Sequence, residues 1–274
     1  NGEFALSFDG VNDYVHCSSN SSLDLNSAYT ISTWVKRSNI SDHDEFIISR
    51  FQSGGWALII APDNKLQWAL HGGSNSYSNI TIDDTNWHHI AISRDADGIL
   101  RYYVDGIIDS EINNFGTASG SGTDLMIGRR YFDENLNTYL SGELDDLSIW
   151  NFALLEDQIQ DIMFAELEGD EEGLSSFWSF NEGEGSTLFD HSGNQNHGEI
   201  IGGSDWSENI PSPGCLDSLA GNYNPDANVD SRMLDKVFKY AVGTTSGENL
   251  STLHPIIAKQ FSLVMNTENV LIVL

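Results

Sequence analysis

The chain has 274 residues, of which 41 are Asp or Glu and 12 are Lys or Arg, so its formal net charge at pH 7 is −29. A surface this negative offers few cations to replace the counterions of nucleic acid or anionic lipid, which argues against nucleic acid as a partner. No apolar run approaches the length of a membrane span, so the sequence also predicts no membrane insertion.

The first 150 residues are typical of short β-strands separated by turns. The stretch 29–38, "YTISTWVKRS", alternates β-branched and aromatic residues with polar ones. Within 86–112, the dipeptides Asp97-Gly98 and Asp105-Gly106 separate three alternating runs and predict a meander. Further strands are predicted at 45–51, 56–62, 65–70, 124–130 and 142–150. Many short strands with Gly and Asn turns predict an all-β, two-sheet antiparallel sandwich.

One short helix is predicted near residues 153–166. Leu154, Ile159 and Met163 recur there at helical spacing, and we expect the helix to pack against a sheet edge. Strand patterns resume at 174–180 and 197–203.

The composition changes near residue 210, where "IPSPGC" has the character of a linker. We therefore expect one domain over 1–210, a linker over 211–232, and a strand-containing segment of unknown role over 233–274. Residues 231–274 hold only three acidic and four basic side chains, and the chain ends in the apolar run "NVLIVL". Such a run must be paired or buried. We expect strands at 236–242 and 260–266 that pack on the sandwich, form a small subdomain, or cause self-association.

Several motifs, in this order, resemble the laminin-G-like, concanavalin-A-like jelly-roll domains of secreted bacterial proteins. They are "ALSFDGVNDYV" (5–15), "YTISTWVKRS" (29–38), "WHHIAISRDADGILRYYVDG" (87–106), "LSGELDDLSIWNFALLEDQIQDI" (140–162) and "GLSSFWSFNEGEGSTLFDHSGNQNHG" (173–198). The resemblance covers roughly residues 4–207 and implies a jelly-roll sandwich that the strands after the helix close. Residues 214–230 resemble a short Cys-containing repeat of marine bacterial surface proteins, in a degenerate form because Ser231 and Arg232 stand where that repeat has a further Cys.

Acidic and amide side chains suggest a calcium site. Calcium binds about six to eight oxygens from carboxylates, amides, carbonyls and water. In the family that the chain resembles, calcium often lies near the Phe-Asp-Gly strand and the Gly-Glu-x-Asp-Asp strand. The alternative is that these residues only form turns. The candidate ligands are Asp9, Asp13, Asp146, Asp190, Asn194 and Asn196.

A hydrolytic function is the competing interpretation. Jelly-roll glycosidases of the laminarinase type carry Glu-x-Asp-x-x-Glu on one strand, and a retaining enzyme needs both outer carboxylates. The corresponding stretch here has Glu143 and Asp145, but Ser148 stands where the second Glu belongs. We therefore expect no enzymatic activity, and keep a diverged hydrolase or lyase as the alternative.

Exposed aromatic rings are the usual platforms for sugars. Trp34, Trp150 and Trp178 lie in strongly patterned strands and are predicted to be core residues. The aromatic residues in predicted loops are the better ligand-binding candidates: Tyr77, Tyr131, Phe132 and Tyr139.

Together these observations predict a secreted or cell-surface module, stabilised by calcium, that serves in binding or adhesion. Its partner would be a carbohydrate or a cell-surface protein. A structural spacer within a large adhesin is the alternative among non-enzymatic functions.

Overall fold

A computed structural model describes residues 3–52, 54–118, 122–131 and 138–214, together with the short strand segments 229–230, 263–266 and 269–272. The described residues between 3 and 207 form sixteen strands, one turn of 3₁₀-helix (Ser21–Leu23) and one α-helix, α1 (Glu156–Phe164). The strands are, in chain order, β1 (Ala5–Asp9), β2 (Tyr14–Cys17), β3 (Tyr29–Arg37), β4 (Glu45–Ser49), β5 (Trp56–Ile60), β6 (Lys65–Leu70), β7 (Asn75–Thr81), β8 (Trp87–Arg94), β9 (Leu100–Val104), β10 (Ile107–Ile112), β11 (Leu125–Ile127), β12 (Ser141–Trp150), β13 (Leu174–Trp178), β14 (Thr187–Leu188), β15 (Gly198–Ile201) and β16 (Asp205–Ser207).

These strands form two antiparallel sheets of eight, which confirms the predicted sandwich. Sheet A has the order β10-β9-β8-β3-β12-β1-β16, and β13 also pairs with β12, beyond the end of β1. Sheet B has the order β14-β15-β2-β11-β4-β5-β6-β7. The strands that follow the helix, β13 to β16, enter both sheets and therefore close the sandwich as the resemblance implied.

The main core lies between the inner faces of the two sheets. Trp56 and Trp68 stack there at 5.4 Å between ring centroids, and Trp68 donates its indole N–H to the Tyr29 hydroxyl at 3.0 Å. The Tyr102 hydroxyl accepts from the Trp68 backbone N–H at 2.8 Å. The buried polar groups of Trp68, Tyr29 and Tyr102 thus bond to one another, which offsets the cost of burying them. The prediction that Trp34, Trp150 and Trp178 are core residues is confirmed, since all three are buried.

The predicted meander over 86–112 is present as β8, β9 and β10. Asp105 has φ 55° and Gly106 has φ 72°, the left-handed pair that a tight hairpin requires. The dipeptide therefore sets the turn as expected.

Helix α1 lies within the predicted range 153–166 and is shorter than predicted. It begins at Glu156 because the Gln158 side chain accepts from the Leu155 backbone N–H at 3.0 Å and caps the first turn. Ile159 packs in one buried cluster with Ala91 of β8 and other residues on the outer face of sheet A. The helix also reaches the edge strand β10, where Glu156 accepts from the Ile108 backbone N–H at 2.9 Å, so it packs at the sheet edge as expected and extends over the outer face.

Strand β7 was not predicted, and the placement of Tyr77 in a loop is wrong. The inward-facing residues of this strand are serines, so its pattern lacks hydrophobic alternation. Ser76 bonds the Tyr102 hydroxyl at 2.8 Å, and Ser78 accepts from the Leu66 backbone N–H at 2.9 Å. In β7, hydrogen bonds from buried serines hold the strand against the core, whereas buried apolar side chains hold the neighbouring strands.

Beyond the sandwich, β17 (Pro213–Gly214) pairs with β18 (Val229–Asp230), and β19 (Leu263–Asn266) pairs with β20 (Asn269–Ile272). Residues 236–242, where another strand was predicted, lie outside the described residues, as does most of the degenerate repeat. Cys17 on β2 is a buried free thiol. In the described part of the chain, no helix is long and apolar enough to cross a membrane.

Candidate functional site

The six predicted metal ligands occupy three separate places. At the first, Asp9 accepts backbone N–H groups from Val11 at 2.8 Å and Asn12 at 3.1 Å, while Asp13 accepts from the Asp9 backbone at 3.0 Å. Burial acts against the charge on Asp9, but these backbone N–H groups outweigh it and hold its pKa below the usual range. Both carboxylates therefore shape the turn between β1 and β2.

The second place is the loop between β14 and β15, which Asp190 organises. One carboxylate oxygen accepts from the backbone N–H of Phe177 at 2.9 Å and of Ser192 at 3.0 Å. The other accepts from the Asn196 backbone at 2.9 Å and the Ser192 hydroxyl at 3.0 Å. Asn194 and Asn196 both donate their side-chain amides to the Ser175 carbonyl, at 3.0 and 3.2 Å. These three predicted ligands are thus engaged in tying the loop to β13.

The third place is a bulge in β12, where Asp146 has φ 48°. Its carboxylate has no hydrogen bond to a described residue and lines a recess of about 220 Å³ together with Glu166 and His191. Burial, and then the negative charge of Glu166, raise the pKa of Asp146 to about 7. The neighbouring Asp145 has a buried oxygen, Oδ2, that accepts no hydrogen bond from the described part of the chain.

Asp9, Asp13 and Asp190 accept hydrogen bonds from the backbone, whereas the Asp146 carboxylate accepts none from a described residue. Among the residues that the structure describes, no group of three or more His, Cys, Asp or Glu side chains is arranged to hold a metal. An ion at Asp146 would thus need backbone carbonyls, amides and water for most of its oxygens, which calcium accepts.

The candidate catalytic stretch lies on the outer face of sheet A. Glu143 accepts from Asn209 at 2.7 Å, Lys36 at 3.3 Å and Ser207 at 3.1 Å. Ser148 is buried and bonded to Ser32 at 2.9 Å. The three hydrogen bonds to Glu143 are those of a residue that holds neighbouring segments together. Ser148, at the position of the second catalytic carboxylate, is buried and not accessible to a substrate.

The predicted aromatic ligands are also divided. Tyr77, 45% exposed, lies on the edge strand β7. Tyr139 contacts Tyr14 of β2, which lies five strand spacings from β7, or about 24 Å. Tyr131 is nearer, since its backbone N–H donates to Ser49 of β4 at 3.3 Å. Phe132 lies outside the described residues.

The most distinctive group on the surface is the Arg129 cluster, which we define as Tyr14, Arg129 and Tyr139. The Arg129 guanidinium lies 4.5 Å from the Tyr14 ring centroid and 5.3 Å from that of Tyr139. The two ring centroids are 6.5 Å apart. All three side chains are half-buried, so each presents part of its surface to solvent. Tyr14 and Arg129 were not predicted; the pair Arg129-Arg130, within so acidic a chain, was the available signal.

The backbone brings Arg129 and Tyr139 together. After β11, Gly128 has φ 83°, and a Cβ there would lie 2.6 Å from the Phe8 ring, so glycine is required. The Leu140 backbone N–H donates to the Gly128 carbonyl at 2.9 Å. This hydrogen bond brings their chain neighbours, Tyr139 and Arg129, close together. Tyr14 reaches the same point because β2 pairs with β11.

The centre of the outer face of sheet B is not available to a ligand. Its apolar residues form a buried cluster against which Phe51 packs, and Arg130 lies over the Phe51 ring at 5.3 Å. These buried residues are Phe46, Ala57, Ile59 and Ala69. The Arg129 cluster lies at the β2 side of this face, where its three side chains are partly exposed.

A second recess, of about 370 Å³, lies at one end of the sandwich. Ser22, Asp24, Asn151 and Asn194 are among its polar lining residues, and Trp150 contributes to its wall. Trp150 is only 3% exposed, so it offers little ring surface for stacking.

Comparison with known proteins gives a family model described as the concanavalin A-like lectin/glucanases superfamily, which matches residues 9–160. No curated protein matches the chain. Among solved structures, a Bacteroides ovatus protein proposed to bind carbohydrate has 19% identity and a TM-score of 0.64, with 75% of this chain and 60% of that chain covered. The chain thus spans less than two thirds of that relative.

Two further structures are more distant. A heptameric pentraxin from Limulus polyphemus has 21% identity and a TM-score of 0.46, covering 58% of this chain and 81% of that chain. Domain 4 of an extracellular arabinanase from Geobacillus stearothermophilus, solved with arabinotriose, has 20% identity and a TM-score of 0.48, covering 58% and 75%.

Proposed function

We propose that this chain, which belongs to the concanavalin A-like lectin/glucanases superfamily, is a non-catalytic module that binds carbohydrate at the Arg129 cluster. The family description names lectins and glucanases, so a saccharide is the ligand class common to both. The choice between binding and hydrolysis then depends on the chemistry of this chain's own residues.

The Arg129 cluster is the observation that carries the proposal. Sugars bind through the apolar faces of their rings, which stack on aromatic side chains, and through hydroxyls, which need fixed polar groups. Tyr14 and Tyr139 supply two rings and two hydroxyls, and Arg129 holds the rings at a fixed separation. Because the three groups already contact one another, little side-chain entropy is lost on binding.

We expect Tyr139→Ala to weaken glycan binding about tenfold, since a central aromatic contact contributes about 1.4 kcal/mol or more. A glycan array identifies the ligand, and calorimetry with that ligand measures both proteins. Tyr77→Ala is the matched control, because it removes an exposed tyrosine from the far edge of the same sheet. An equal loss in both variants, or a loss only in Tyr77→Ala, would contradict the proposed location. Binding of a partner protein but no glycan would favour adhesion through protein contacts instead.

Absence of catalysis is the second element of the proposal. A retaining glycosidase needs an acid/base and a nucleophile about 5–5.5 Å apart. Glu143 is held by three hydrogen-bond partners, and Ser148 replaces the second carboxylate beneath the surface.

We therefore expect no release of reducing ends from β-glucans, agars or carrageenans over long incubations at high protein concentration. The measurement is a reducing-sugar assay on wild type and Glu143→Gln in parallel. Sugar release by wild type that disappears in Glu143→Gln would overturn the non-enzymatic assignment and favour the diverged hydrolase.

Calcium is the third element, and we propose Asp146 as its principal side-chain ligand. The support is the charge of this half-buried carboxylate, with Asp145 beside it and Glu166 close enough to raise its pKa. Bound calcium would offset this repulsion.

If calcium binds the native fold alone, a hundredfold excess over Kd should add about 2.7 kcal/mol to the free energy of unfolding. Thermal melts in calcium and in EDTA measure this directly. In Asp146→Asn the calcium-dependent rise should vanish, whereas in Asp9→Asn it should persist. A wild-type midpoint that is the same in both buffers would exclude a stabilising calcium.

The setting of the module is also a proposal. A secreted or cell-surface location suits an acidic glycan-binding domain that leads into a degenerate surface-protein repeat. The terminal segment, which contains the β19–β20 hairpin, is proposed to provide self-association.

A further inference from the structure

We propose that the Arg129 cluster selects an anionic sugar, one carrying a carboxylate or sulfate on an otherwise largely neutral glycan. This inference rests on the proposed carbohydrate-binding function and specifies the ligand's charge.

The first argument is that the terminal N–H groups of the Arg129 guanidinium donate to no described residue. Its Nε donates to the Arg130 carbonyl at 3.0 Å, but its two terminal nitrogens have no hydrogen bond to any described residue. No described carboxylate forms an ion pair with it. By contrast, Arg50 pairs with Asp24 at 2.6 Å, and Arg101 pairs with both Asp95 and Glu111. Arg94 has no ion pair with a described carboxylate, but its terminal nitrogens donate to backbone carbonyls.

That difference is unusual because acidic residues outnumber basic ones 41 to 12 in this chain. With so many carboxylates, most basic side chains of this protein are expected to have one within ion-pair distance. An arginine whose terminal donors have no partner among the described residues, and which lies next to aromatic rings, has the chemistry of a site for an external anion.

The second argument is geometric. The Tyr14 and Tyr139 rings lie against the guanidinium and restrict its rotamers. The unbonded N–H groups lie at the rim of the guanidinium, in a planar fork that matches a carboxylate or sulfate with two parallel hydrogen bonds. A sugar ring on either tyrosine would place a charged substituent within reach of that fork.

The third argument limits the charge density of the ligand. With a formal net charge of −29, the protein repels a densely charged polyanion over distances up to the Debye length, about 8 Å at physiological ionic strength. A single charged substituent on a neutral backbone gains the contact with Arg129 and avoids most of this repulsion.

The test compares matched glycans on the full chain by calorimetry. One pair is lightly de-esterified against fully methyl-esterified polygalacturonate, which differ in carboxylates. The other is lightly sulfated agar against agarose, which differ in sulfate. We expect at least fivefold tighter binding to the charged member of at least one pair, and the pair that responds identifies the anion.

Two variants assign the preference to Arg129. Arg129→Gln should bring the ratio of the affinities for the charged and neutral members to about one, and this ratio is measured within the variant, so that any general loss of glycan binding cancels. Lys65→Gln removes the same unit charge on β6, from a lysine without an ion pair to a described residue, and should leave the preference intact.

The outcomes separate the two proposals. Equal binding to charged and neutral glycans, or a preference that survives in Arg129→Gln, overturns the anionic selectivity and leaves carbohydrate binding standing. Failure to bind any member, together with an empty glycan array, overturns both.

Discussion

Replacing Glu45 with Gln should lower the free energy of unfolding by about 3–5 kcal/mol, because it strands a buried guanidinium. Glu45 and Arg37 are both 0% exposed, and their charged atoms approach to 2.6 Å. Arg37 also donates to Asn64 and to the Ile82 carbonyl, at 2.8 and 2.7 Å. This ion pair thus ties β3 of sheet A to β4 of sheet B and to the loops beside them.

Equilibrium unfolding in guanidinium chloride, followed by tryptophan fluorescence, measures the loss. The matched control is Glu111→Gln, which breaks a pair with Arg101 in which Glu111 is 50% exposed. Exposed pairs contribute about 1 kcal/mol or less. If the two variants lost similar stability, the buried pair would not be a structural centre of the sandwich.

Replacing Asp190 with Asn should cost about 2–4 kcal/mol, since an amide can accept at only one of the two oxygen positions that now receive N–H or O–H groups. The N–H groups of Phe177 and Asn196 are buried and would lose a charged acceptor. The loss should be the same in calcium and in EDTA, because these bonds belong to the protein itself.

Chemical unfolding in both buffers tests this, with Asp170→Asn as the control because Asp170 is an exposed carboxylate in a loop. A change at such a site is usually within about 0.5 kcal/mol. If Asp190→Asn lowered the free energy of unfolding only in calcium, Asp190 would be a calcium ligand and the account of its hydrogen bonds would be wrong.

Sequence patterns predicted the sandwich because most of its strands have alternating apolar residues and turn dipeptides that can be recognised within a few residues. The β8–β9–β10 meander needed only alternating residues and the Asp105-Gly106 turn. Strand β7 escaped prediction because its inward serines are buried through hydrogen bonds to other strands, and those partners are distant in the chain.

The candidate site was predictable only in part. Tyr139 was selected for its aromatic ring and loop position, but its partner Tyr14 is over a hundred residues earlier. The contact depends on the pairing of β2 with β11, which the sequence pattern does not specify. Similarly, the composition of the loop after Asp190 suits either a metal or a hydrogen-bonded turn, and only the positions of the N–H groups distinguish them.

The most direct test of carbohydrate binding at the Arg129 cluster is a crystal structure of the chain with an oligosaccharide that it binds in solution. We predict a sugar ring against Tyr14 or Tyr139, with a charged substituent on the Arg129 guanidinium. A sugar seated instead in the recess beside Trp150 and Asn151, with the Arg129 cluster open to solvent, would contradict the account.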